Sequence, residues 1–146
     1  PYKTKKVIQD PEPLPYLRSK GNWAYDIKLD VSINTEKLKA PFILSKSNYR
    51  YMYWDICQQL AHHTVNGCNM RTGDLLASGT ISGPDKSSFG SMLEITWRGT
   101  DPVKLPDDEE RKFLLDGDEL TITGWCQGED YRVGFGEVKG KIIPAV

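Results

Sequence analysis

Between Trp23 and Ile33 apolar and polar side chains alternate almost without a break: Trp23, Tyr25, Ile27, Leu29, Val31 and Ile33 are apolar, while Asp26, Lys28, Asp30 and Ser32 are polar. A period of two predicts a β-strand with one buried face. A short apolar run, Phe42 to Leu44, follows NTEKLKAP, and then the period changes. Tyr49, Tyr53, Ile56, Cys57, Leu60 and Thr64 fall on one side of a 3.6-residue repeat. That spacing predicts a helix over 48–65, with Ser47 as its N-cap and Asn66-Gly67 as its stop.

Everything after the helix is expected to be β. One strand is expected through Leu75, Leu76 and Ala77, and a second with Leu93, Ile95 and Trp97 on one face. Others are expected around Leu120 and Ile122, and around Tyr131, Val133 and Phe135. The run Gly73-Asp74-Leu75-Leu76-Ala77-Ser78-Gly79 is echoed by Gly117-Asp118-Glu119-Leu120-Thr121-Ile122-Thr123-Gly124. Two copies are too few for a repeat architecture, so they are expected to be similar strand entries in one rolled sheet. Pro102 to Arg111 is expected to be a charged surface connection. The predicted fold class is mixed and mainly β, a rolled mixed β-sheet with one main helix.

Composition narrows the function classes. The chain has 146 residues, 38% of them hydrophobic and 27% charged, which fits one globular domain with its own core. A formal charge of −1, with no basic cluster along the chain, argues against a nucleic-acid or anionic-membrane footprint. No apolar run is long enough to span a bilayer, so the expected location is cytoplasmic. Cys57, Cys68 and Cys126 are odd in number and lack metal-ligand spacing, which predicts free buried thiols. The opening PYKTKKVIQDPEPLPYL carries three of the nine prolines between Pro11 and Pro15. Residues 1–22 therefore read as an extended Pro-rich lead-in from an upstream segment, and 23–146 as the domain proper.

The stretch from Arg71 to Trp97 carries the candidate chemistry. Ser78, Thr80 and Ser82 place hydroxyls at alternate positions, beside Gly73, Gly79, Gly83 and Gly90, in the manner of a ligand-binding turn. On a strand, Glu94 would point opposite Leu93 and Ile95, beside the uncharged Met92 and Thr96. A carboxylate there either faces solvent or orients a histidine that takes a proton from water. Thr80, next to Gly79, either contacts a ligand or bonds its own turn. His62 and His63 lie roughly 100° apart around a helix, so they cannot share one metal ion and are expected at the core or helix end. Tyr49, Tyr51, Tyr53 and Trp54 are expected in packing, and Asp26 and Asp30 in solvent. The chain has no phosphate-binding P-loop, no nucleophile elbow and no zinc spacing.

Three runs together, KSNYRYMYWDICQQLAHHTVNGCNMRTGDLLASGTISGP, FGSMLEITWRGT and RKFLLDGDELTITGWCQGEDYRVGFGEVKGKIIPA, resemble the C-terminal portion of the fumarylacetoacetate hydrolase family. The likeness runs from DPEPLPYL onward. The wider superfamily shares the pattern Gly-Asp-x-x-x-(S/T)-Gly-Thr, here Gly73 to Thr80. This resemblance implies the family's rolled β fold, a homodimer, and hydrolysis of a carbon–carbon bond in a β-diketone to give fumarate and acetoacetate during tyrosine and phenylalanine breakdown. It further implies that Glu94 pairs with a water-activating histidine and that Thr80, with Gly79, contacts substrate. A Ca2+ or Mg2+ ion in the complete enzyme is implied as well. The histidine and the metal ligands of the family lie upstream of this segment, so neither His62 nor His63 is assigned that role and no metal ligand is assigned to this chain. The expected partners are the diketone, the rest of the enzyme upstream and a second subunit. Two other readings stand beside this one: a non-catalytic β-rich binding or assembly module, and a decarboxylase or isomerase of the same superfamily.

Overall fold

The alternating run after Trp23 becomes the middle of a sheet. In the computed structural model, which describes residues 2–146, a two-residue strand β1 (Lys3–Thr4) pairs with β2 (Ala24–Tyr25), and the run continues as β3 (Lys28–Asn34). Next comes β4 (Phe42–Asn48), then α1 (Ile56–Thr64), the single turn α2 (Met92–Ile95), and a ribbon of β5 (Val103–Lys104) with β6 (Glu110–Arg111). Two long strands close the chain, β7 (Glu119–Gln127) and β8 (Arg132–Lys141). The main sheet runs β4-β3-β7-β8, and every pair is antiparallel. The mainly β fold with one principal helix is the class expected from the sequence.

The core is small. Ile33, Leu38, Leu44 and Leu105 form its buried cluster, with Phe42, Met92, Val103, Leu114 and Leu120 packed around it. Leu105 lies within the segment expected to be only a surface connection, and Arg111 at the end of that segment is buried too. Burying a guanidinium requires partners. Arg111 has them in Asp118, to which its Nε and Nη2 donate over 2.9 and 3.0 Å, and in Glu109. Thr35 in turn donates its hydroxyl to Glu109.

The helix begins eight residues later than its apolar spacing predicts. Ser47, the expected cap, belongs to β4, and Tyr49–Tyr51 form a short 3-10 turn. The true cap is Asp55. Its carboxylate accepts from the Gln58 amide (2.9 Å), while the Gln58 side chain accepts from the Asp55 amide (3.0 Å), a reciprocal capping box. Gly67, with φ of +87°, comes just after the helix end at Val65, as the Asn-Gly signal requires. The most buried side chain of α1 is Gln58, not a member of the apolar stripe; Ile56 and Leu60 are exposed. Gln58 also bonds Gln9 and the Leu17 carbonyl, and Asp55 accepts from Lys6 and Ser19. Residues 6–19 are thereby tied to α1 through polar contacts.

Asp55 and Asp118 make the fold sensitive to acid. Burial alone would raise both carboxyls. Lys6, the Gln58 amide and Ser19 hold Asp55 below the ordinary 3.8, and Arg111 with the Leu115 amide does the same for Asp118. A depressed native pKa means that the unfolded chain binds more protons in the acid range, so stability is full above about pH 5 and falls as pH drops through 3.8 toward the native values. Urea midpoints of the full-length polypeptide measured from pH 7 to 3 are expected to be level down to about pH 5 and to decline below about pH 4; a level curve to pH 3 would contradict this assignment.

Candidate functional site

The segment SMLEITW is a helical turn, not the strand its alternation predicts. Ser91 caps it by accepting from the Glu94 amide (3.3 Å), and Glu94 is the third helical residue, so Ser-x-x-Glu is itself a start signal for a helix. Thr96 donates to the Met92 carbonyl (2.7 Å) and accepts from the Gly99 amide (3.0 Å), which ends the turn. Trp97 and Arg98 then adopt positive φ. Ile95 is consequently buried, whereas Leu93 and Trp97, expected on the same face, are exposed.

Hydroxyls hold the Glu94 carboxylate from two directions. Ser82 Oγ donates to it, lying 2.9 Å from Oε1 and 2.7 Å from Oε2, and Ser91 Oγ donates to Oε2 over 3.0 Å. The Gly90 amide donates to Ser82 Oγ (3.1 Å), which leaves the serine proton free to point at the acid. Nothing in the local pattern announces the Ser82 contact, twelve residues away. Among the described residues no cation pairs with Glu94. A half-buried carboxylate fixed by neutral donors, with acceptor capacity to spare, can take a hydrogen bond from one further cationic or imidazole group.

Thr80 reaches the same place through Gly90. A Cβ at Gly90 would lie 2.6 Å from Thr80 Cγ2 and 2.7 Å from the Ile81 carbonyl oxygen, so the chain at 80–82 runs hard against the loop that leads into α2. The structure thus brings residues 80 and 94 to either end of the Ser82–Gly90 contact. Gly79 lies beside Thr80, exposed and with φ of +79°, a conformation that suits glycine. Gly90→Ala is expected to cost about 1–3 kcal/mol in urea unfolding of the full-length polypeptide, because backbone must move to admit the methyl group. A cost within the error of the measurement would contradict the packing described.

An apolar cavity of about 480 Å3 adjoins this site, with Gly90, Ser91 and Met92 on one side and Leu44 and Ser45 on the other. A register shift in β4, where Val31 pairs with Ser45 but Ser32 with Ile43, leaves Leu44 unpaired. Such a bulge accounts for two successive residues lining one cavity.

The remaining candidates lie apart from Glu94 in their bonding. His62 Nδ1 is 3.0 Å from the Tyr16 hydroxyl, and His63 Nε2 is 3.3 Å from Cys68 Sγ. Cys68 is exposed, contrary to the expectation of buried thiols, while Cys126 is buried; burial, and then the nearby Asp26, pushes the Cys126 thiol up. Asp26, expected in solvent, is half-buried and accepts from Asn48 (2.6 Å). Tyr53 packs edge-on against Trp54, whereas Tyr51 and Trp54 keep substantial exposure. Among the described residues no three His, Cys, Asp or Glu side chains converge to hold a metal ion.

Fold and site together define a mainly β protein that carries a serine-held carboxylate beside a glycine-threonine turn. The family described as "Fumarylacetoacetate (FAA) hydrolase C-terminal" matches residues 4–143. The fumarylacetoacetase of Homo sapiens is 54% identical over 146 residues, covering 100% of this chain and 35% of the relative. That of Dictyostelium discoideum is 53% identical, covering 99% and 34%, and that of Oryza sativa subsp. japonica 49%, covering 100% and 34%. The chain belongs to the fumarylacetoacetate hydrolase family. It spans about a third of the length of the curated relatives it matches.

Proposed function

We propose that the full-length polypeptide hydrolyses fumarylacetoacetate to fumarate and acetoacetate, as a step of tyrosine and phenylalanine breakdown, and that this chain supplies part of its active site. Glu94 is assigned to the positioning of a histidine from outside the chain. That histidine takes a proton from water, the resulting hydroxide adds to a carbonyl, and the carbon–carbon bond breaks with its electron pair leaving as an enolate, which is then protonated. A fixed carboxylate assists by holding the imidazole in one tautomer and stabilising the imidazolium. Thr80 and Gly79 are assigned to substrate, through a hydroxyl and a backbone amide. A divalent ion, calcium or magnesium, belongs to the reaction of the complete enzyme and would polarise the carbonyl when bound. Its ligands are assigned to the upstream part of the polypeptide, as the family resemblance implies.

The observation that carries this reading is the fixing of Glu94 by Ser82 and Ser91 next to Thr80, in a chain about half identical to fumarylacetoacetases along its whole length. A cytoplasmic homodimer is part of the same proposal; among the described residues no helix is long and apolar enough to cross a membrane. The test is an assay of the purified full-length polypeptide with the diketone. Equal amounts of fumarate and acetoacetate are expected. Release of carbon dioxide, or substrate left unconsumed, would overturn the proposal.

A further inference from the structure

Two turns in this chain are built alike. The Arg71 amide donates to Asp74 Oδ2 (2.8 Å) and the Asp74 amide returns to the Arg71 carbonyl (3.1 Å), with Gly73 between them at φ of +97°. The Leu115 amide donates to Asp118 Oδ2 (2.9 Å), the Asp118 amide returns to the Leu115 carbonyl (3.1 Å), and Gly117 has φ of +92°. The segments that the two turns launch are unlike. After Asp118 the chain becomes β7, paired on both edges by β3 and β8. After Asp74 comes LLASGTIS without a ladder: among the described residues no backbone amide from Leu75 through Ser82 donates to a backbone carbonyl.

This open segment is nevertheless held on one side. Leu76, Ala77 and Ser78 line a cavity with Tyr49 and Ile56 of about 340 Å3, Ser47 donates to the Ile81 carbonyl (2.9 Å), and Gly90 abuts Thr80. Leu75, by contrast, is 97% exposed. We infer that residues 75–82 are a β-strand whose partner strand comes from the N-terminal two thirds that the longer relatives carry ahead of the matching C-terminal region. The relatives leave ample length for it, since this chain fills only 34–35% of theirs. Ile8, Leu75, Trp97, Val138 and Ile143 are all more than 70% exposed, which is more apolar surface than the chain covers by itself, and the upstream length of the relatives is chain available to cover it. Strand addition also satisfies the open amides, which an apolar cover alone would leave without acceptors.

Amide hydrogen exchange on the full-length polypeptide tests this independently of catalysis. Alternate amides between residues 75 and 82 are expected to exchange at least about a thousandfold more slowly than in a free peptide of the same sequence, at concentrations where the protein is assembled and where it is dissociated. Exchange within about tenfold of the free peptide overturns the inference. Protection that vanishes on dissociation also overturns it, because the partner strand would then belong to a second copy.

Discussion

Glu94→Gln in the full-length polypeptide is expected to lower kcat about 10²–10⁴-fold while leaving the affinity for a non-hydrolysable diketone analogue within about threefold. The substitution separates the local bonding of this side chain from its proposed role beside a histidine. As the third residue of α2 it completes a Ser-x-x-Glu start, a place where Gln serves as well as Glu, and its amide oxygen can still accept from Ser82 and Ser91. The fold should therefore survive. A neutral amide, however, cannot stabilise an imidazolium, and its NH2 group presents a donor where the histidine needs an acceptor. Turnover near the unsubstituted rate, measured beside an unchanged urea midpoint, would leave the Glu94 side chain with its bonds to Ser82 and Ser91 alone.

The second large effect concerns stability. Asp118→Ala is expected to cost about 3–5 kcal/mol in urea unfolding, because it leaves the buried Arg111 guanidinium, among the described residues, with only the longer 3.4 Å ion pair to Glu109. Arg111 donates to both carboxylate oxygens of Asp118, and the two side chains retain only 9% and 2% of their exposure. Asp74 closes the same kind of turn without a buried cation, so Asp74→Ala should cost only about 0.5–1.5 kcal/mol in the same measurement. Similar losses at the two positions would contradict the distinction. Replacing Arg111 and Asp118 together by apolar residues should recover much of the loss, since the penalty lies in a buried charge left under-paired and not in the missing pair itself.

Local periodicity is a good guide where each strand meets a simple two-faced environment. The alternation from Trp23 to Ile33 gives β2 and β3, and the runs around Leu120 and Val133 give β7 and β8. It fails where capping chemistry overrides apolar spacing. Asp55-x-x-Gln58 starts α1 although the aromatic stripe begins earlier, and Ser91-x-x-Glu94 turns an alternating LEITW into a helical turn. Both signals are present in the sequence as the spacing of a capping box, which Asp55 and Gln58 complete reciprocally while Ser91 caps one way. The Gly-Asp echo is legible as well, but it encodes only a turn: a strand follows directly on the second copy and, among the described residues, none does on the first, contrary to the strand expected through Leu75, Leu76 and Ala77. The bonds from Ser82 to Glu94 and from Asp118 to Arg111 are not legible, because no local pattern links residues joined through tertiary packing. Thr80 and Glu94 are named from family resemblance; that Thr80 lies against Gly90 and Glu94 bonds Ser82, whose hydroxyl Gly90 holds, is visible only in three dimensions.

A crystal structure of the full-length polypeptide with a bound substrate analogue tests the central claim most directly. A histidine nitrogen is expected within about 3.2 Å of a Glu94 oxygen, and the Thr80 hydroxyl within hydrogen-bonding reach of the analogue. An analogue bound elsewhere, with Glu94 still engaged only by Ser82 and Ser91, would contradict it.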